Sequence, residues 1–248
     1  MIEVTEFSKS YSSKKNDFAV ENISLKSQKG FVTGLIGPNG SGKTTVMKAI
    51  CGFHYPTKGH ILITDNNDNS FYIENDSQMA MQLIGYVPEN PCLPPEMKVR
   101  EFLIYAGMCH NLSKNQTDKA LMKVVKECNL ENFLDKKIKK LSKGQKQRVS
   151  FAQALIYDPP NLILDEPVSG LDPAQIIQIR KLIQKLSKDK AILMSTHILQ
   201  EINSLCGSLY ILNQGKIVCQ GSEEEIIKKT HSENLENAFL KLTTDSEI

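Results

Sequence analysis

Apolar and polar positions recur with two different periods along this chain, and the changes of period mark its organisation. Residues 20–25 and 31–36 are rich in β-branched and apolar side chains and flank a turn at Lys29 and Gly30, which predicts two strands. A glycine-rich stretch follows, then a helical pattern through Met47 and Ile50. Residues 59–64 read as another strand, and 65–76, crowded with Asn, Asp and Ser, as a loop with a short strand near 71–73. An apolar strand at 83–87 stops at Pro88, and Pro91, Pro94 and Pro95 keep the next segment extended. From 99 to about 157 the spacing becomes helical, with Phe102, Leu103, Tyr105 and Ala106 on one face and Leu121, Val124, Val125 and Cys128 on another.

Strands and helices then alternate: a strand at 162–164, a helix over 173–186, a strand at 191–194 and a helix near 198–205. That alternation predicts an α/β fold with a mostly parallel sheet covered by helices. Residues 209–212 and 216–219 predict a closing hairpin, followed by short helices near Ser222 and Leu235. The chain thus divides into a core at 1–90 and 158–222, a helical subdomain at 91–157, and a helical tail at 223–248.

Composition narrows the class. The 248 residues are 40% hydrophobic and 23% charged, enough apolar content for a sizeable core, which excludes a disordered chain. Lys plus Arg is 30 against 28 for Asp plus Glu, so a net charge of +2 provides no broad basic field for a polyanion, and nucleic acid is not an expected partner. The run Lys136, Lys137, Lys139 and Lys140 lacks interleaved aromatics and reads as a solvated face. The longest apolar stretch, 102–109, is far shorter than a membrane span, and the N-terminus carries no secretory signal, so the chain is expected in the cytosol. Six scattered cysteines without CxxC spacing are expected to be reduced packing thiols, and no structural metal site is expected.

Three motifs carry chemistry. Gly37, Pro38, Asn39, Gly40, Ser41, Gly42, Lys43 and Thr44, followed by Thr45, match the phosphate-loop pattern between a strand and a helix. The glycines let backbone amides curl around phosphate oxygens, and the helix N-terminus adds partial positive charge. Lys43 is placed to reach the terminal phosphates, and the Thr44 hydroxyl to ligate Mg²⁺. The strand 162–164 ends in Asp165 and Glu166, at the edge of the sheet where ligands bind in such folds. Asp165 is a candidate Mg²⁺ ligand through water, and Glu166 a candidate general base. Ser142, Lys143, Gly144 and Gln145 read locally as a capping box at a helix start, or as a helix N-terminus that grips the phosphates of a nucleotide held by another chain.

In this order the motifs resemble the nucleotide-binding subunits of ABC transporters, over essentially the whole chain. GPNGSGKT resembles the Walker A motif, LILDEP the Walker B motif, and LSKGQ stands where that family carries LSGGQ. Ser169, Gly170, Leu171 and Asp172 resemble its D-loop, and Ser195, Thr196 and His197 its switch histidine. The resemblance implies a P-loop ATPase with an N-terminal antiparallel β subdomain, a parallel core sheet and a helical signature subdomain. It implies two chains paired head to tail, each ATP lying between one phosphate loop and the partner's signature, with His197 at the γ-phosphate. Tyr11 stands where the family stacks an aromatic on adenine, with a plain strand tyrosine as the lesser alternative, and Asp172 before Pro173 is also a helix cap.

Two positions depart from the family pattern. Lys143 replaces a glycine and either adds a cation beside the partner's phosphates or points to solvent. Glu89 stands where many members have a metal-linked glutamine, and is a candidate metal ligand. The resemblance implies an ATPase that drives transport through a separate polytopic membrane subunit on the cytoplasmic face of the cell membrane. Residues 234–243 look like the ending of bacterial exporter ATPases, which favours export. The competing reading is a soluble ABC ATPase in iron-sulfur assembly, translation or DNA maintenance.

Overall fold

The computed structural model describes residues 1–12, 17–199, 202 and 205–244. Its first layer is an antiparallel sheet built from β1 (Ile2–Lys9), β2 (Val20–Ser27), β4 (Lys58–Thr64) and β5 (Ser70–Tyr72), in the order β2-β1-β4-β5. The second is a six-stranded sheet of β3 (Val32–Ile36), β6 (Ile84–Val87), β7 (Asn161–Asp165), β8 (Ala191–Thr196), β9 (Cys206–Asn213) and β10 (Lys216–Gly221), in the order β10-β9-β3-β8-β7-β6. Pairing is parallel from β9 through β3, β8 and β7 to β6, and β10 closes the edge antiparallel to β9. Buried along their whole length, β3, β7 and β8 are mostly apolar, as central parallel strands are.

Side chains alternate between the two faces of this sheet. On one face Leu35, Ile163 and Leu193 pack with Val46, Met47 and Ile50 of helix α1 (Lys43–Ile50), which lies beneath Ile2, Phe7, Ile23 and Ile63 of the antiparallel sheet. On the other face Val32, Leu162, Leu164, Ile192 and Met194 join a second core with α3 (Val99–Cys109), α4 (Lys114–Glu127), α5 (Lys143–Leu155) and α6 (Pro173–Leu186). A third cluster sets Ile36, Leu209 and Ile211 against α7 (Glu223–Thr230) and α8 (Leu235–Thr243).

Asn161 is one of the side chains that join the two sheets, as Ser27 does by donating to the Ile192 carbonyl. Asn161 Nδ2 donates to the Thr64 and Leu83 carbonyls, both at 3.1 Å, and its Oδ1 accepts from the Met1 ammonium at 2.7 Å. Burial pushes that ammonium down to about 6.

The structure differs from the sequence expectations in two places. No strand is predicted over residues 2–9, where β1 pairs with β2 and β4. Helix α2 (Ser77–Gln82) follows directly on the predicted loop. The helix expected near 198–205 falls partly outside the described residues.

Candidate nucleotide site

Strand β3 delivers residues 37–42 to the open end of α1, where Gly40 (φ 81°) and Gly42 (φ 110°) take left-handed conformations. Gly37 has no room for a side chain, because a Cβ there would overlap the Leu212 carbonyl oxygen and the Ser41 hydroxyl. The loop is pinned by Ser41 N–H donating to Pro38 O at 3.2 Å and Gly215 N–H to Ser41 O at 3.0 Å. The buried Ser41 hydroxyl has no partner among the described residues. Lys43 turns back onto its own loop, donating to the Gly37 carbonyl at 2.7 Å and the Pro38 carbonyl at 3.1 Å. Burial pulls its ammonium below the ordinary range, against the opposing pull of Glu166 and Asp165.

Strand β7 ends at Asp165, and Glu166 follows with φ 47°, a left-handed conformation uncommon outside glycine. Two bonds hold it there: Glu166 N–H donates to Ser195 Oγ at 3.0 Å and lies 3.3 Å from the Ser195 carbonyl. The same Ser195 hydroxyl donates to Asp165 Oδ1 at 2.6 Å, and Tyr86 donates to Asp165 Oδ2 at 3.4 Å. Burial and then the Asp165 charge keep the Tyr86 phenol well above its usual range. Strand β8 delivers His197, whose Nδ1 lies 2.8 Å from Glu166 Oε2. After β6, Glu89 accepts from the Ser169 hydroxyl at 3.3 Å.

These elements surround a cavity of about 440 Å³ lined by Asn39, Gly40, Gly42, Lys43, Thr44, Thr45, Glu89, Glu166 and His197. Asp165 is buried behind that wall, and Tyr11 lies apart from it. Thr44, Glu89 and Asp165 are hard oxygen donors that suit Mg²⁺, an ion that binds through a few protein oxygens plus phosphate. Both Asp165 oxygens already accept hydroxyls, which fits a role through water. Among the described residues no group of three or more His, Cys, Asp or Glu is placed to hold a metal ion.

The signature residues lie elsewhere. Ser142 caps α5 in the predicted box, its Oγ accepting Gln145 N–H at 3.3 Å while Gln145 Oε1 accepts Ser142 N–H at 3.0 Å. Ser142, Gly144 and Gln145 line a second cavity, of about 420 Å³, with Phe133, Arg148 and Gln175. A Cβ at Gly144 would overlap the Gln175 side chain, and one at Gly170 would overlap the Lys143 ammonium, so Lys143 lies over the Ser169 to Asp172 loop of its own chain. Asp172 is a cap: its Oδ1 accepts Gln175 N–H at 2.9 Å, with Pro173 beginning α6. One chain therefore does not bring signature and phosphate loop together. Sequence reasoning placed Ser169 and Ser195 in motifs without assigning either a contact and gave no role to Tyr86; their contacts with Glu89, Asp165 and Glu166 come from neighbouring strands and loops.

A glycine-rich strand-to-helix loop beside carboxylates at the strand ends defines an α/β P-loop ATPase. The family model described as ABC transporter matches residues 20–169, and the chain belongs to that family as an ATP-binding subunit. It is 30% identical to the ABC transporter ATP-binding protein NatA of Bacillus subtilis (strain 168) over 242 residues, 97% of each chain. It is 34% identical over 210 residues to the Nod factor export ATP-binding protein I of Burkholderia lata, covering 84% of this chain and 67% of that one. Among solved structures, an ATP-binding subunit of an ABC transporter superposes with a TM-score of 0.86 at 30% identity, covering 98% and 100% of the two chains. The ATP-binding cassette MJ0796, solved as a dimer in a post-hydrolysis state with ADP and Pi, superposes with a TM-score of 0.77 at 25% identity, covering 90% and 98%.

Proposed function

We propose that this ATPase works as a head-to-tail dimer, and that closure of the dimer on ATP powers export through a separate polytopic membrane subunit. The observation that carries this reading is the separation of the two cavities: the phosphate loop and the signature helix of one chain line different surfaces. A second copy, or a related chain, supplies its α5 N-terminus to the first chain's phosphates, where the helix dipole and Ser142, Gly144 and Gln145 meet negative charge. The dimeric MJ0796 cassette supports this arrangement.

Within the closed site the backbone amides of residues 37–45 cradle the phosphates, and Lys43 exchanges its two loop carbonyls for phosphate oxygens. Thr44, Asp165 through water, and Glu89 are the residues that would hold Mg²⁺, and the ion would supply charge neutralisation at the phosphates. Glu166 takes the proton of the water that attacks the γ-phosphorus as the bond to the ADP oxygen breaks. His197, held at Glu166 Oε2, orients that carboxylate and faces the γ-phosphate. Tyr11 stacks on adenine, and Asp172 reaches the dimer seam while capping α6.

No helix among the described residues is long and apolar enough to cross a membrane, and in this reading the pore belongs to the membrane subunit. A groove of about 340 Å³, lined by Phe53, Tyr86, Cys92, Leu93, His110 and Tyr157 among others, is the surface on which that partner rests, at the cytoplasmic face. Tyr86 belongs to the groove wall and also touches Asp165, which joins partner and site through one side chain. The name of the Nod factor relative supports the export direction.

The test is Glu166→Gln expressed with its native membranes. It is expected to bind ATP, lose most turnover, accumulate as an ATP-bound dimer and co-purify with a polytopic protein. Wild-type turnover would refute the general-base role, and recovery only in a soluble complex would refute the transport reading.

A further inference from the structure

The ring of Tyr11 is held at both ends. Its backbone leaves β1 through a loop fixed by Ser10 N–H donating to Thr57 Oγ1 at 3.1 Å and by a Ser10 Oγ to Ser12 carbonyl bond at 2.9 Å. Its hydroxyl lies 3.0 Å from His54 Nε2, and the two rings meet edge to face at 5.6 Å and 84°. The Lys9 ammonium, which donates to the Tyr55 carbonyl at 2.9 Å, lies 5.5 Å from the ring centroid over one face. Tyr11 is nevertheless 65% exposed, so a large flat surface remains open.

His54 is in turn fixed to the helix that begins at the phosphate loop. Helix α1 closes with Gly52 N–H donating to Ala49 O at 3.0 Å and Phe53 N–H to Lys48 O at 2.9 Å, with Gly52 at φ 73°. A Cβ at Gly52 would overlap the Met81 sulfur. His54 thus stands at a set distance from the phosphate loop, along a helix whose rise is about 1.5 Å per residue. Burial, then Lys9 and Lys48, hold its imidazole below the ordinary range. Its Nε2 and the Tyr11 hydroxyl share one hydrogen bond whichever ring nitrogen carries the proton.

We propose that His54 is a positioning residue for nucleotide binding, fixing the Tyr11 ring so that its open face meets the base at a set distance from the phosphate loop. This rests on the assignment of Tyr11 as the adenine-stacking residue. A stacking side chain held before the ligand arrives loses less rotamer freedom on binding, and the difference appears as affinity for the base and not for the phosphates.

The probes that separate these contributions are MgATP and Mg-tripolyphosphate, titrated calorimetrically into the full-length chain. His54→Ala is expected to weaken MgATP about fivefold, the size of one neutral hydrogen bond, and to leave tripolyphosphate within twofold. Tyr11→Phe keeps the ring and is expected to match that loss, and the double variant to lose no more than either single one. His54→Gln, which offers an amide to the hydroxyl, is expected to recover most of the ATP affinity. Equal weakening of both probes by His54→Ala, or no weakening of either, would overturn the proposal. Tyr11→Ala reports separately on the assignment beneath it: unchanged MgATP affinity there would refute base stacking itself, whatever His54 does.

Discussion

His197 Nδ1 lies 2.8 Å from Glu166 Oε2, and the two side chains come from the ends of β8 and β7, which are adjacent parallel strands. Their meeting is a matter of register: Asp165 pairs with Ser195, so the residues two and one further on converge at the same edge. His197→Ala frees the Glu166 carboxylate to rotate without touching the phosphate loop. Steady-state turnover is expected to fall about 100-fold, the scale of a lost acid–base contact. The MgATP dissociation constant, measured by calorimetry, is expected to change less than threefold.

Ser195 is fully buried and its hydroxyl serves two neighbours, accepting from Glu166 N–H and donating to Asp165 Oδ1. Ser195→Ala leaves a buried donor and a buried acceptor without that partner and releases one restraint on the left-handed Glu166 backbone. A stability loss of about 1–3 kcal/mol is expected from the urea midpoint. Turnover falls with it, because Glu166 loses its fixed direction. Unchanged stability and rate together would show that Ser195 holds neither group.

The helical layer is tied to the core by charges that titrate. Asp158 Oδ2 accepts from Lys123 on α4 at 2.8 Å, and its Oδ1 from Lys190, next to β8, at 2.6 Å. Partial burial alone would raise the carboxyl, but the two lysines outweigh it and hold it below its ordinary value of 3.8. A depressed carboxylate contributes stability above the unfolded-state pKa and loses it as pH falls through the folded one. Asp158→Asn is therefore expected to unfold at lower urea than the wild type at pH 7, with the gap closing below about pH 4. A gap of constant size down to pH 3 would place its origin in something other than charge.

Tyr86 separates docking from signalling. Tyr86→Phe keeps the groove wall and removes the contact with Asp165, so a membrane partner is expected to co-purify as before while its stimulation of ATP turnover drops about fivefold. Cys92→Asp places a charge at an exposed position on the same groove and is expected to do the converse, losing the partner and keeping basal turnover. Loss of co-purification in Tyr86→Phe would assign the tyrosine to docking instead.

Elements with chemical punctuation were readable from the sequence. Helix α6 runs over 173–186 as expected because Asp172 caps it and Pro173 starts it. Strand β1 was not predicted: its period of two is broken at Glu6 (φ 50°), with register shifts between Val4 and Phe7 and between Phe7 and Lys9. The pairing of β2 and β3 was hidden for another reason, since neighbours in sequence enter different sheets. The phosphate loop is contiguous and needs no tertiary information, whereas the contacts of Ser195, Tyr86 and His54 depend on which strands and loops lie side by side. The antiparallel sheet, the parallel core sheet and the helices nevertheless agree in type with the expected α/β cassette.

The order β10-β9-β3-β8-β7-β6 also has a consequence for synthesis. The strand that leads into the phosphate loop emerges early, yet Val32 pairs with Ile192 on one side and with Cys206 on the other. At about 5–20 residues per second a ribosome takes on the order of ten seconds or more to make that intervening chain. Throughout that interval β3 has neither neighbour, and both of its hydrogen-bonding edges are open to any other strand. The nascent chain is thus most exposed to misassociation in its ATP-binding half, and a pause in translation before residue 191 would lengthen that exposure more than a pause after residue 213.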